Sequence, residues 1–373
     1  MVVELKSVPM NRICIFSLYD KNGIVDEYVF YMLESLGQVT NRVIVVVNGS
    51  IQESCFIRLK SAGCQVYVRE NLGYDVGGYK DVIISLFEDG DINEYDEIIL
   101  LNDTFFGPFW SWKTIFRKMD EEPADFWGII RMDETVYGFP FILSFFQVFR
   151  SGIIHSCVFK DYWKKLDYPT CFSDATELFE RGMAKVLLDA GYKNYSYLEA
   201  INKNFKYDSI GPYIADSYIY IREKGMPILK RKSLGPMYYE NAKRTLEFIK
   251  TNLDYDISLI LDNCNRLENE HSFRPLGYKE IEEFCSLHNK IYLYGNGTAS
   301  RALSRYLQYI HVKIESYIVS KKTNDEEGVV ELKNVRFHDG DGVIIATFAK
   351  YSDEIYNSLL NRLAPIHILK PKF

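Results

Sequence analysis

Apolar residues fall into two spacings along the first hundred positions. Continuous runs at 13–16 (ICIF) and 43–47 (VIVVV) show no polar alternation, the pattern of strands buried on both faces of a parallel sheet, and 97–101 (EIILL) is expected as a further strand. A shorter strand is expected at 65–68. Between these runs, residues 25–36, 52–62 and 78–87 carry apolar side chains at helical spacing. Such alternation with short connections predicts an α/β sheet with right-handed crossovers. Ligands of these sheets bind beyond the carboxyl ends of the strands. Chemistry is therefore expected in the segments that follow strands: 17–23, 48–50, 69–80 and 102–108.

From 123 to 237 the pattern turns irregular and aromatic-rich, with one helix expected at 176–190. Polar, helical sequence runs from 240 to 266, then a looser stretch to 275. A second α/β unit follows: a strand at 290–294, the turn Gly295-Asn-Gly-Thr-Ala-Ser300, a helix to 307, strands near 316–319 and 342–347, and a helix at 353–363. The expected division is a larger domain over 1–238, a helical linker over 239–275 and a small Rossmann-like accessory domain over 276–373.

Composition narrows the function classes. A net charge of −7 over 373 residues argues against non-specific nucleic-acid binding, which needs a basic surface. The seven cysteines are scattered without CxxC spacing, so neither a zinc knuckle nor a disulfide framework is expected, and a reducing compartment is. The most apolar stretch, 139–149, is too short to span a bilayer, and MVVELKSVPMNR lacks the apolar core of a signal peptide. These features predict a soluble, cytoplasmic protein. The 28 Tyr and 24 Phe suit sugar or base recognition as well as plain core bulk.

Three segments carry candidate chemistry. Asn102-Asp103-Thr104 follows the run IILL directly, where an Asp can ligate a hard divalent cation (Mg or Mn) or simply form an Asx-turn. Residues 69–80, RENLGYDVGGYK, set three glycines around Asn71, Asp75 and Lys80 at a strand-to-helix junction, which permits close backbone approach to a ligand. The helix opening at 176 sets Glu177 and Glu180 three apart on one face, by default as acidic complements to a helix N-terminus. In the C-terminal unit the Gly295 turn has the context of a dinucleotide fingerprint, but Ser300 replaces the third glycine and Ser320-Lys-Lys offers no acidic ribose partner. No NAD binding is expected.

FSLYDKNGIVDEYVFYMLESL, RENLGYDVGGYKD, IILLNDTFFGPF, DFWGI and SFFQVFR, in this order over about 13–234, resemble the rhamnan synthesis protein F family of bacterial glycosyltransferases. The resemblance implies a GT-A-like fold, a nucleotide-sugar donor and an inverting transfer in surface polysaccharide assembly. It leaves the C-terminal unit outside. By position it implies that Asn71, Gly73, Asp75 and Lys80 belong to a donor loop. Asn102 and Thr104 would hold ribose or phosphate, and Asp103 alone would meet any cation. Alignment of Met183 with a leucine of the superfamily's Glu-Asp-x-Asp-Leu segment sets Glu180 on the catalytic base, with Glu177 as its rival.

Softer candidates complete the set. Tyr19 and Asp20 end the first strand, where base stacking and a ribose hydrogen bond are expected, and Asn48 ends the second. Lys230-Arg231-Lys232 is a basic cluster suited to a diphosphate or an anionic, lipid-linked acceptor, or equally to a solvated surface strand. Trp127, in Asp125-Phe-Trp127-Gly, offers an acceptor-side aromatic platform or is simply core. The expected activity is transfer of rhamnose or a galactose-type sugar from a dTDP- or UDP-sugar to a growing, lipid-linked glycan at the inner face of the cell membrane. The rival is a non-catalytic nucleotide- or glycan-binding protein of an assembly complex.

Overall fold

A computed structural model describes residues 10–203, 205–207, 211–235, 238–270, 279–322, 328–347 and 349–371. Its larger sheet begins with the apolar runs. Every residue of β1 (Arg12–Leu18) and β4 (Glu97–Asn102) is buried, and β2 (Arg42–Asn48) is buried over its last five. With β3 (Gln65–Arg69) they form the parallel order β3-β2-β1-β4. Helices α1 (Glu27–Leu36), α2 (Glu53–Ser61) and α3 (Tyr74–Asp89) follow the first three strands in turn.

The sheet does not stop at β4. The short pair β5 (Phe105–Phe106) and helix α4 (Trp112–Asp120) lead into β6 (Phe126–Gly128). A small ribbon joins β7 (Arg131–Met132) to β8 (Phe141–Ile142). Strand β9 (Phe146–Arg150) then inserts antiparallel between β4 and β6, and β10 (Asn194–Ser196) closes the edge parallel to β6. The resulting order, β10-β6-β9-β4-β1-β2-β3, is the mostly parallel, GT-A-like sheet the resemblance implies. The irregular stretch 123–237 thus contributes three strands of three to five residues that its pattern does not announce.

Two helical expectations shift. Helix α3 starts at Tyr74 rather than 78, so most of the glycine-rich segment is helix, not loop. Gly73 enters it in the left-handed conformation (φ +75°), and a side chain on Gly78 would meet Val46 at 2.8 Å, so glycine lets the helix lie directly on β2. The helix expected at 176–190 is broken into a turn at Phe172–Ala175, a π-helical segment at Thr176–Arg181 and a regular helix at Gly182–Asp189. The face of the sheet under α3 is filled by Tyr79, Ile83, Phe149, Phe159, Trp163 and Phe179, among others.

The second sheet is parallel throughout, in the order β14 (Val329–Glu331), β13 (Ile314–Val319), β12 (Lys290–Tyr294), β15 (Asp341–Ile345), β16 (Ile368–Leu369). A short antiparallel strand, β11 (Leu229–Lys230), pairs with β5 in the larger unit. By compactness, one unit comprises 1–212, 219–231 and 249–263, and the other 213–218, 232–248 and 264–373. The expected linker, 239–275, is divided between the two; its last five residues lie outside the described ones. Among the described residues no helix is long and apolar enough to cross a membrane. The seven cysteines, all among the described residues, form no disulfide.

Candidate functional site

Register aligns the strand ends. Ser17 of β1 pairs with Asn102 of β4 and with Val46 of β2, and Asn48 pairs with Arg69 of β3. The segments after β1, β2 and β4 therefore emerge along one edge, as the parallel pattern predicts.

At its centre, Asn102-Asp103-Thr104 is an ordered turn. The Asn102 amide donates to Asp75 Oδ2 at 2.8 Å, and its carbonyl accepts from the Thr104 hydroxyl at 2.5 Å. The Lys230 ammonium donates to the same hydroxyl. Lys230 reaches this point because β11 pairs with β5, setting it opposite Phe105, and the Arg231 amide continues the ladder to the Thr104 carbonyl at 3.1 Å. Arg231 Nη2 donates to the Asp103 carbonyl at 2.7 Å and stands 3.8 Å from its carboxylate. The Tyr28 hydroxyl donates to that same carbonyl at 2.7 Å.

Burial governs the charges here. It pushes the Asp103 carboxyl up to about 6, against the pull of Arg231 and Lys230. Burial also raises Asp75, partly offset by its bonds from Asn102 and the Val76 amide and by the Lys230 charge. Glu180 is raised by burial as well, countered by the bond from the Ser144 amide at 2.6 Å and by the charges of Arg181 and Lys230. The Lys230 charge thus lowers all three carboxyls against the effect of burial.

The π-helical winding sorts the two glutamates. A regular helix would keep Glu177 and Glu180 on one face, but wider i→i+5 winding turns them apart. Glu177 is exposed and paired with Arg181, whereas Glu180 turns inward to the loop at Ser144.

Other expected residues scatter around this core. Tyr19 is 52% exposed at the end of β1, and Asp20 caps its own turn through the amides of Asn22 and Ile24. Asn48 is buried and braces the edge, donating to Ser17 Oγ at 3.0 Å and accepting from Arg69 at 2.7 Å. Asn71 lies exposed before α3, and Gly73 packs toward the Tyr168 ring. Lys80 donates to the Leu166 carbonyl and lies 5.0 Å from the centre of the same ring. Trp127 is fully buried between Phe116 and Phe146, so it is core and not a sugar platform. Tyr28 and the Ser144 amide join the site without any sequence signal: the tyrosine sits in the apolar stripe of α1, and a backbone amide has no sequence signature.

The donor set does not suit a divalent cation. Asp103 is the triplet's one carboxylate and already faces Arg231, while Asp75 is engaged by Asn102. Among the described residues no group of three or more His, Cys, Asp or Glu is arranged to hold a metal.

Comparison with known proteins gives the following. The chain is 26% identical over 155 residues to the uncharacterized protein y4gN of Sinorhizobium fredii, a match covering 41% of this chain and 39% of that one. It thus spans about two fifths of that relative's length. Among solved structures, a nucleotide-diphospho-sugar transferase of Desulfovibrio desulfuricans covers 70% of this chain and 97% of its own at 10% identity, with a TM-score of 0.37. Glucosyl-3-phosphoglycerate synthase of Mycobacterium tuberculosis, solved with Mn2+ and UDP, covers 39% of this chain and 58% of its own at 12% identity, with a TM-score of 0.27. The family described as rhamnan synthesis protein F matches residues 43–320. That span begins in β2 and ends just past β13, so it reaches into the C-terminal sheet, which the motif resemblance had left outside. With about three quarters of its length inside that match, the chain belongs to the rhamnan synthesis protein F family.

Proposed function

We propose that this chain is an inverting glycosyltransferase that moves rhamnose or a galactose-type sugar from a dTDP- or UDP-sugar to a growing, lipid-linked surface glycan. The supporting observation is the geometry around Lys230: its ammonium bonds the Thr104 hydroxyl and lies over the Phe145 ring, next in chain to Ser144, whose amide holds Glu180, while Arg231 faces Asp103 and Asn102 bonds Asp75. An inverting transfer needs a base on the acceptor side and cationic charge on the donor side, within reach of one another.

In this reading the donor's base lies against Tyr19, its ribose meets Asp20, and its diphosphate meets Lys230 and Arg231. Glu180, held by the Ser144 amide, takes the proton of an acceptor hydroxyl as that oxygen bonds to the anomeric carbon. The bond from that carbon to the phosphate oxygen breaks with inversion, and the nucleoside diphosphate leaves with the electron pair. A desolvated carboxylate is the stronger base, because burial favours its protonated form.

Incubation with dTDP-rhamnose, UDP-galactose, UDP-galactofuranose and UDP-glucose, each with a glycan acceptor, should release a nucleoside diphosphate from one of them. No release and no nucleotide binding across the panel would refute the proposal. The lone carboxylate of Asn102-Asp103-Thr104 favours a second reading, a non-catalytic binding protein, for which nucleotide binds but is never turned over.

A further inference from the structure

We propose that Lys230 and Arg231 neutralise the donor's diphosphate in place of a divalent metal, so that nucleotide binding by this chain is metal-independent. The inference rests on the donor site proposed above and concerns how that site handles charge.

Three observations carry it. First, both cations are built into the site by backbone. The β5–β11 ladder and the bond from the Arg231 amide to the Thr104 carbonyl fix them beside the triplet. Second, the Lys230 ammonium is held deep, at 8% residue exposure, on the Thr104 hydroxyl and 4.6 Å over the Phe145 ring. An ammonium fixed in this way is a preorganised, charge-assisted donor for the oxygens of a phosphate. Third, Arg231 keeps a donor in reserve. Its Nη2 is committed to Tyr28 and the Asp103 carbonyl, but its Nε is buried with no hydrogen-bond partner among the described residues. A buried unpaired donor is unfavourable until an acceptor arrives.

These cations also oppose a metal. A divalent ion bound by Asp103 would stand beside the guanidinium 3.8 Å from that carboxylate and close to the Lys230 ammonium. Like charges at such range repel strongly in a partly buried site. Magnesium is normally held by one or two carboxylates together with substrate phosphates and waters. Here the carboxylate is engaged and the phosphates have other partners.

The test is calorimetric titration of the full chain with UDP and with dTDP, in EDTA and then in excess MgCl2 or MnCl2. For the nucleotide that binds, the Kd should differ by less than about threefold between the two conditions. Lys230→Met keeps the packed stem and removes the charge, and should weaken the diphosphate by about tenfold or more while leaving the parent nucleoside nearly unchanged. Arg231→Met should do the same. Should either variant fail to fold, by its melting curve, the comparison of EDTA with metal on the unmodified chain decides alone. Binding that vanishes in EDTA and returns with metal would overturn the inference and leave the donor reading standing. Undiminished binding by a folded Lys230→Met would also overturn it. No binding of either nucleotide under any condition would refute the donor reading, and the inference with it.

Discussion

Replacing Glu180 by Gln removes the proposed base at the smallest cost in shape. The glutamine carbonyl can accept the same bond from the Ser144 amide that Glu180 Oε2 accepts at 2.6 Å, so side-chain position is preserved. Burial already raises the Glu180 carboxyl, so losing the charge relieves a desolvation cost while forfeiting the attraction of Arg181 and Lys230. These changes oppose each other, and Tm should move little. Catalysis should not be spared. Loss of a positioned base costs about 10²–10⁴ in rate, equivalent to roughly 3–5 kcal/mol in the barrier. The assay is nucleoside diphosphate release under saturating donor, paired with donor titration, so that a fall in turnover is separated from a fall in binding. Glu177→Gln is the control on the same helical segment. Glu177 is exposed and pairs with Arg181 one turn on, an interaction worth at most about 0.5 kcal/mol, so turnover should stay within about twofold. Near-normal turnover in Glu180→Gln with loss in Glu177→Gln would show that the base has been assigned to the wrong glutamate. Full activity in both would show that this segment is scaffold.

Trp127→Ala should cost about 3–5 kcal/mol of stability because it empties a fully buried site, while Trp127→Phe should keep turnover; loss of acceptor affinity in the folded Phe variant would restore the platform role. Gly78→Ala should destabilise by about 1–3 kcal/mol in denaturant unfolding, because the added methyl meets Val46 at 2.8 Å, and a neutral result would contradict the direct packing of α3 on β2. Turnover should fall on the acid side above the ordinary carboxylate range, since Glu180 must be ionised to accept a proton and its folded carboxyl is raised. Asp103, at about 6, protonates in the same direction, and a profile still flat near pH 4, about the unperturbed carboxylate value, would contradict both assignments.

Much of the fold is legible because its first half obeys simple periods. Runs such as ICIF and EIILL can only be satisfied by burial on both faces, and strand ends then fix where Tyr19, Asn48 and Asp103 emerge. The short strands β6, β9 and β10 escape detection because three to five residues hold too few periods to read. The glycine-rich segment misleads for a different reason. Its glycines serve the close approach of a helix to β2 at Gly78, which in sequence looks the same as a ligand loop. Lys230 and Arg231 stand out as charge in an acidic chain, but their partnership with Thr104 and Asp103 depends on a two-residue ladder across more than a hundred positions. Glu180 is separated from Glu177 by π-helical winding, which no 3.6-residue pattern encodes.

The central claim is a nucleotide-sugar site at the carboxyl edge of the seven-stranded sheet, and a crystal structure with bound UDP or dTDP tests it most directly. The diphosphate should lie against Lys230 and Arg231, with the base toward Tyr19 and Glu180 facing the open side of the terminal phosphate. Nucleotide found instead at the Gly295 turn of the five-stranded sheet, or away from both sheets, would contradict the account.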